Sequence, residues 1–233
     1  MRDMGIALKY RVAAGQCMVA APRQQQKQVL NLYPIVKVST MTGKLVDIPA
    51  INTNTISNPF CIAMHSAKDN VICSNCFSWN MLHGSRKNCA KVWQKNSDFL
   101  ADEIEWQYLP TFNALWVRFH GHGELQNIAH MVNFHNIALK NPETTFSLWT
   151  KRRDIIRQYH RDYTQPDNLI LIYSNPLKDR IISQPPQGYQ KVFNTVTQEN
   201  TAENCTGKNC IDCLTCYRTG TQAVIVEREK KRS

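Results

Sequence analysis

The sequence lacks several patterns by which common protein classes are recognised. No stretch of its 233 residues approaches the ~20 consecutive apolar residues of a membrane-spanning helix. No glycine-rich phosphate loop and no serine–histidine–aspartate arrangement is visible. The first 22 residues form a poor signal peptide, because Lys9, Arg11 and Gln16 interrupt their apolar positions. We therefore expect a cytoplasmic protein with no membrane partner.

Acidic residues are few relative to basic ones. Lys and Arg number 28 against 18 Asp and Glu, which gives a net charge of +10. Such a balance favours acidic partners, and nucleic acid is the first of them. A basic protein with scattered lysines explains the charge equally well, since only the tails carry dense basic runs.

Alternating strand and helix patterns fill the middle of the chain. Buried-type strands are predicted at residues 114–120, 144–150 and 168–176, and amphipathic helices at 124–142 and 151–163. Short connections between such units indicate parallel βα pairing. The sequence thus predicts an α/β fold, a partial βα barrel-like parallel sheet with cysteine-rich loops that bind a metal cluster.

The flanking segments complete the predicted organisation. Short strands are expected around the turn at Thr42 and Gly43, a loop over residues 57–85, and a helix from Ser85 to Tyr108. We divide the chain into a basic peripheral arm (1–30), a single α/β iron–sulfur domain (31–220), and a terminal strand with a charged tail (221–233).

Four of the nine cysteines lie within twelve residues near the end of the chain. They are Cys205, Cys210, Cys213 and Cys216, spaced C-x4-C-x2-C-x2-C. Thiolates are soft ligands that suit Zn²⁺ or an iron–sulfur cluster. The compact C-x2-C-x2-C run is similar to the run that wraps a cubane in bacterial ferredoxins. A [4Fe–4S] cluster is the leading prediction, and zinc is the alternative.

A second set of cysteines stands in the first half of the chain: Cys61, Cys73, Cys76 and Cys89. The pair in "CSNC" is a good metal half-site, and the outer two are loosely spaced. Each set could hold its own cluster, or one cluster could draw ligands from both halves. Cys89 fits a buried apolar position as well as ligation, and Cys17 is most simply a spare thiol.

A polar segment, "HGHGE", follows the first strand of the βα region. His120, His122 and Glu124 are candidates for proton transfer or metal binding. Gly121 and Gly123 would let the backbone approach a cofactor closely, beside Glu124. A tight turn with Glu124 in the first turn of the next helix is the alternative. Further on, Lys151, Arg152 and Arg153 also begin at a strand end and could meet an anion or face solvent.

The order of these motifs resembles the phage gene product 88 family. The residues concerned are Cys61, "CSNCF", "VRFHGHGELQN", "FSLWTKR", "NLILIYS" and "CTGKNCIDCLTCY", which together cover roughly residues 57–217. The resemblance implies a bacteriophage protein in the host cell cytoplasm that binds an iron–sulfur cluster, and it implies no particular reaction.

A more distant similarity is to radical S-adenosylmethionine enzymes, in which a strand-end Gly-Gly-Glu type motif binds the cofactor's amino group. "GHGE" occupies a comparable place, but the usual C-x3-C-x2-C is absent. Three functions therefore stand open. The first is a [4Fe–4S] protein with an electron-transfer or redox role and an unidentified redox partner. The second is a nucleic-acid or protein-binding module with a structural metal. The third is a radical enzyme that uses S-adenosylmethionine.

Overall fold

A computed structural model describes residues 36–67, 70–205 and 207–229. The predicted basic arm, Cys17 and the last residues of the tail lie outside these ranges. Seven strands of the described residues form one sheet: β1 (Val38–Ser39), β2 (Ala50–Ile51), β3 (Trp116–Phe119), β4 (Thr145–Thr150), β5 (Leu169–Lys178), β6 (Lys191–Val196) and β7 (Val224–Arg228).

The strands follow one another across the sheet in chain order. β1 pairs with β2 in antiparallel fashion, and every later neighbour is parallel. The prediction of parallel βα units is confirmed. The described strands do not close into a barrel, because β1 and β7 are not neighbours. The predicted terminal strand is β7, which pairs with β6 in this sheet.

Six α-helices accompany the sheet within the described ranges: α1 (Pro59–His65), α2 (Phe77–His83), α3 (Lys87–Leu100), α4 (Ile128–Lys140), α5 (Arg153–Asp162) and the short α6 (Cys210–Cys213). Shorter 3-10 turns lie at Gly43–Leu45, Ile72–Asn75, Trp106–Tyr108 and Thr215–Tyr217. No helix in the described part of the chain is long and apolar enough to cross a membrane.

Three of these helices differ from the sequence-based expectation. The segment predicted as a loop over 57–85 contains α1 and α2. The start of α1 is indicated by Asn58 followed by Pro59, an N-cap with proline at the first helical position. The helix expected to reach Tyr108 ends at Leu100. The Asn133 amide donates to the carbonyls of Leu100 and Asp102, at 3.1 and 2.7 Å, and so takes over acceptors beyond the helix end.

Both faces of the sheet are covered. Along β5, Leu169 and Leu171 pack on the side of α4 and α5, whereas Ile170 and Ile172 point to the opposite face. Burial on both sides explains why this strand is continuously apolar. Cys205 and Cys216 pack on the second face with Ile170 and Ile172, so these two cysteines lie on the side of the sheet opposite α4 and α5.

Candidate functional site

Three cysteines of the first half gather near the carboxyl ends of β3 and β4. Cys61 lies in α1, Cys73 in a 3-10 turn and Cys76 directly before α2, and all three are free and half-buried. Asn58 ties this region to the sheet. Its Oδ1 accepts from the Cys61 amide at 3.3 Å, and its Nδ2 donates to the Glu124 carbonyl oxygen at 3.0 Å.

Glu124 and Lys151 stand between the strand ends and these thiols. The Glu124 carboxylate is 4% exposed and accepts hydrogen bonds from the backbone amides of Leu125 and Lys151, each at 2.8 Å, and from the Thr150 hydroxyl. Burial raises the pKa of Glu124, while Lys151 and the hydrogen bonds oppose that rise. The Lys151 ammonium donates to Ser174 Oγ at 2.9 Å.

The thiols and these two charged groups act on one another. Burial raises the pKa of Cys61, and Glu124, Cys76 and Cys73 raise it further, whereas Lys151 lowers it. Burial disfavours the charged form of Lys151, but Cys73, Glu124, Cys76 and Cys61 together raise its pKa above the usual value. The five side chains line one small cavity of about 70 Å³. We refer to Cys61, Cys73 and Cys76 as the strand-end thiol group.

The two candidate histidines have different surroundings. His120 turns into the core, where its Nε2 lies 3.3 Å from Nε2 of His130, and burial lowers its pKa to about 3. His122 reaches the large cleft described below, stacked on Trp93 at 4.7 Å between ring centroids, and burial lowers its pKa to about 4. Both imidazoles are therefore neutral at pH 7, and of the two only His122 lines the cleft.

The two glycines make room for other parts of the chain. A Cβ on Gly123, whose φ is +105°, would overlap the Thr53 hydroxyl and lie 2.8 Å from the Thr53 carbonyl oxygen. A Cβ on Gly121 would lie 2.8 Å from Asn52 Oδ1, which accepts from the His122 amide at 2.8 Å. Close packing against the end of β2 explains both glycines, while Gly123 also lines the small cavity and Gly121 the large cleft.

The C-terminal cysteines are held against the sheet by apolar anchors. Leu214 and Tyr217 are buried with Ile48, and Leu214 has a left-handed φ of 52° between α6 and the following 3-10 turn. Cys213 is thereby left exposed, whereas Cys205, Cys210 and Cys216 are half-buried. These four residues form the C-terminal thiol group.

Thiols within the C-terminal group influence one another. Burial raises the pKa of Cys216 to about 12, Arg118 opposes that rise, and Cys210, Cys205 and Cys213 add to it. Burial also acts to raise the pKa of Cys213, but hydrogen bonding by Thr215 brings that pKa below the usual value. In both groups the cysteines that perturb a thiol belong to its own group.

A cation from the loop before β2 accompanies Cys205. Lys44 Nζ lies 3.7 Å from Cys205 Sγ and forms an ion pair with Glu227 of β7. Lys44 also lowers the pKa of Cys205, against larger upward effects of burial and Glu227. Neither Lys44 nor Arg118 was singled out from the sequence, because only the fold brings these distant positions next to the thiols.

A cleft of about 1390 Å³ runs across the carboxyl ends of the strands. Cys73, Cys76 and Lys151 line one part of it, and Lys44 and Glu227 line another. Cys89 also faces it, but packs with Met81, Leu82 and Trp93, as expected for a small apolar residue.

The donor set fits a soft metal or cluster, since each group offers several thiols and none is engaged in a disulfide among the described residues. Within the described ranges no three cysteine, histidine or carboxylate side chains converge as a preformed metal site. Binding would therefore include an adjustment of the ligand side chains, as is usual where metal binding and folding are coupled.

The fold and site define a mixed α/β protein with a mostly parallel sheet, two separate thiol groups and a cleft at the strand ends. The chain belongs to the gene product 88 family, a phage gene-product family whose model matches residues 20–231. No curated protein and no solved structure matches it.

Proposed function

We propose that the protein is an iron–sulfur protein with two sites, one at each thiol group. The observation that carries this proposal is the placement of the two groups. Cys61, Cys73 and Cys76 line one small cavity near the strand ends, whereas Cys205 and Cys216 pack against Ile170 and Ile172 on one face of the sheet. A single cluster shared between the two halves of the chain is therefore the less favoured arrangement. A redox or electron-transfer role follows from the chemistry that such clusters supply.

The C-terminal thiol group would hold a [4Fe–4S] cluster through Cys205, Cys210, Cys213 and Cys216. Four thiolates in one place carry a large negative charge, and the structure supplies Lys44 and Arg118 beside them. Cations around a cluster favour its more negative, reduced state. The residues of this chain would thus anchor the cluster and set its potential.

Metal analysis of protein purified without oxygen tests the proposal. We expect about eight iron atoms with equivalent acid-labile sulfide per chain and broad absorbance near ~400 nm. Cys213→Ser and Cys73→Ser should each remove about half of the iron, because each affects one site. Cys89→Ser is the matched control and should keep all of it. Stoichiometric zinc without sulfide, after growth with ample iron, would instead identify a structural metal protein.

The strand-end thiol group supports a second candidate, a radical enzyme that uses S-adenosylmethionine. Its three cysteines are grouped with Glu124 and Lys151, and its Cys73 and Cys76 border the large cleft. Three protein ligands would leave one iron of a cubane available to a small molecule. The Glu124 carboxylate is buried beside this group and could receive an amino group of that molecule.

Cofactor binding separates the two candidates. Reduced, cluster-loaded protein should bind S-adenosylmethionine by calorimetry and change its electron paramagnetic resonance spectrum if the second candidate is correct. Glu124→Gln should weaken this binding while leaving the iron content unchanged. An unaltered spectrum together with no heat of binding would reject the radical-enzyme candidate and leave the redox role in place.

A further inference from the structure

The structure separates the three cations of the basic run after β4. Arg152 forms an ion pair with Asp154, with 2.7 Å between Nη2 and Oδ2. The guanidinium carbon of Arg153, an exposed residue, lies 5.6 Å from the ring centroid of Tyr173. Lys151 has no ion-pair partner among the described residues, and it is the one member of the run that lines the large cleft. If this run meets an anion inside the cleft, Lys151 is therefore the residue that binds it.

The Lys151 ammonium and the Ser174 hydroxyl form a pair of hydrogen-bond donors beside the end of β4. Lys151 directly follows β4, Ser174 lies in β5, and both residues line the cleft. Lys151 Nζ donates to Ser174 Oγ at 2.9 Å and has no other acceptor in the described part of the chain. The Ser174 hydroxyl has no acceptor there for its own hydrogen. Because an ammonium has three N–H groups, both members of this donor pair can still donate to a ligand.

Two aromatic rings adjoin the donor pair on the same face of the sheet. Ser174 pairs in register with Phe193 of β6, and Ile172, two residues earlier in β5, pairs with Trp149 of β4. Alternate residues of a strand share a face, so these four side chains lie on one side of the sheet. The ring centroids of Trp149 and Phe193 are 4.3 Å apart, and both residues line the cleft. A ligand held by the donor pair would therefore place its carbon skeleton beside these rings.

The charge at the donor pair favours a ligand with a single negative charge. The pair brings one positive charge, and the Glu124 carboxylate is close to it, because that carboxylate accepts from the Lys151 backbone amide. Glu124 is served by a second amide and by the Thr150 hydroxyl, and it forms no ion pair with the ammonium. A phosphate dianion would be poorly balanced here. A carboxylate carries one charge on two oxygens, so one oxygen can accept from the ammonium and the other from the hydroxyl.

We propose that Lys151 and Ser174 bind the carboxylate of a small organic acid whose apolar part lies against Trp149 and Phe193. A few placed polar groups beside an apolar wall are the usual composition of a small-molecule site. The inference goes beyond the proposed function, since the donor pair requires no metal at either thiol group. Cys73 and Cys76 line the same cleft, so a cluster at the strand-end thiol group would share that cleft with the bound acid.

Fluorine NMR with 4-fluorobenzoate as the probe tests the proposal on the full chain. We expect saturable binding, and the neutral analogue 4-fluorobenzamide should bind about tenfold more weakly because it lacks the charge. Ser174→Ala should weaken benzoate binding about fivefold through the loss of one hydrogen bond, and Lys151→Met about tenfold or more. The matched controls are Ser66→Ala and Lys95→Met, at exposed positions outside the cleft lining; both should bind as the wild type does.

Several outcomes would overturn the proposal. They are no saturable binding by the wild type, equal binding of the acid and its amide, and equal binding by Ser174→Ala and Ser66→Ala. Displacement of the probe by inorganic phosphate at lower concentration than by unlabelled benzoate would identify a phosphate site instead. If Lys151→Met does not fold, Ser174→Ala and the amide analogue still decide. Iron measured on the same samples keeps the two proposals apart, because benzoate binding without iron would refute the iron–sulfur proposal alone, and full iron without benzoate binding would refute this one.

Discussion

The guanidinium carbon of Arg118 lies 3.9 Å from the ring centroid of Trp149, so a cation of β3 covers an aromatic ring of β4. Trp149 packs on the face of the sheet that carries Cys205 and Cys216. Arg118 opposes the rise that burial causes in the pKa of Cys210 and Cys216. The cation–π contact therefore fixes a positive charge beside the C-terminal thiol group.

If the C-terminal thiol group holds the proposed cluster, removal of this charge should loosen it. Arg118→Met keeps much of the side-chain volume, and we expect iron to be lost to a chelator about tenfold faster, as for other residues around metal ligands. Arg118→Lys should restore part of the effect because it keeps the charge. Arg157→Met on the surface of α5 is the control. An unchanged release rate in Arg118→Met would show that the charge has no such role.

Gly123 should be among the least replaceable positions. Its φ of +105° disfavours any side chain, and a Cβ there would overlap Thr53. We expect Gly123→Ala to lower the free energy of unfolding by about 3 kcal/mol or more, from strain and overpacking combined. Gly43 also has a positive φ, +65°, but a Cβ there would meet nothing within 4 Å. Gly43→Ala should therefore lower the free energy of unfolding by only about 1 kcal/mol. Equal denaturant midpoints for the two variants would contradict the packing argument.

The buried histidines should make stability depend on pH. Burial lowers the pKa of His120 to about 3 and that of His122 to about 4, so both stay neutral in the folded chain. Below the unfolded value near ~6.5 the unfolded chain binds more protons, so stability falls as the pH decreases toward those values. Each of these histidines should make the free energy of unfolding about 1 kcal/mol lower at pH ~5.5 than at pH ~7.5.

His120→Asn tests this dependence at one position. His120 has a φ of +59°, which asparagine tolerates well. The variant should lose stability at neutral pH, since the contact with His130 is removed, and its denaturant midpoint should change less between pH ~7.5 and ~5.5 than that of the wild type. An equally steep pH dependence in the variant would show that His120 does not contribute.

A single amide organises the end of α3 and the loop after it. Asn133 is fully buried; its Oδ1 accepts from the Ile104 amide at 2.9 Å, while its Nδ2 serves the carbonyls of Leu100 and Asp102. Asn133→Asp would place a carboxylate against those carbonyls and should cost about 3 kcal/mol at pH 7, with partial recovery at low pH where the acid regains a proton to donate.

Asn127→Asp is the matched control for this change. Asn127 caps α4 by accepting from the His130 amide at 3.0 Å, and aspartate is equally suited to an N-cap. Its Nδ2 also donates to the Ala101 carbonyl at 2.8 Å, but Asn127 is exposed, so water can replace that bond. Urea unfolding of both variants should therefore show a large loss for position 133 and little for position 127. Similar losses at the two sites would mean that the buried amide network is not the cause.

The sequence by itself determined the class of the fold and where chemistry is concentrated along the chain. Apolar runs such as "NLILIYS" are buried on both faces of a parallel sheet, and this burial is written in local composition. The two cysteine-rich segments and the polar residues after β3 were recognisable from residue type and spacing alone. The start of α1 was also readable at Asn58 and Pro59, although the surrounding polarity favoured a loop.

Only the tertiary structure decided which side chains meet. His120 and Glu124 follow the same strand, yet His120 faces the core and Glu124 faces the strand-end thiol group. The loop between them is fixed by close packing against Asn52 and Thr53 after β2. Lys44, Arg118 and Lys151 reach thiols that are distant in sequence, and no local pattern encodes that approach. The ring contacts of His122 with Phe77 and Trp93 likewise join three separate segments, which only long-range packing brings together.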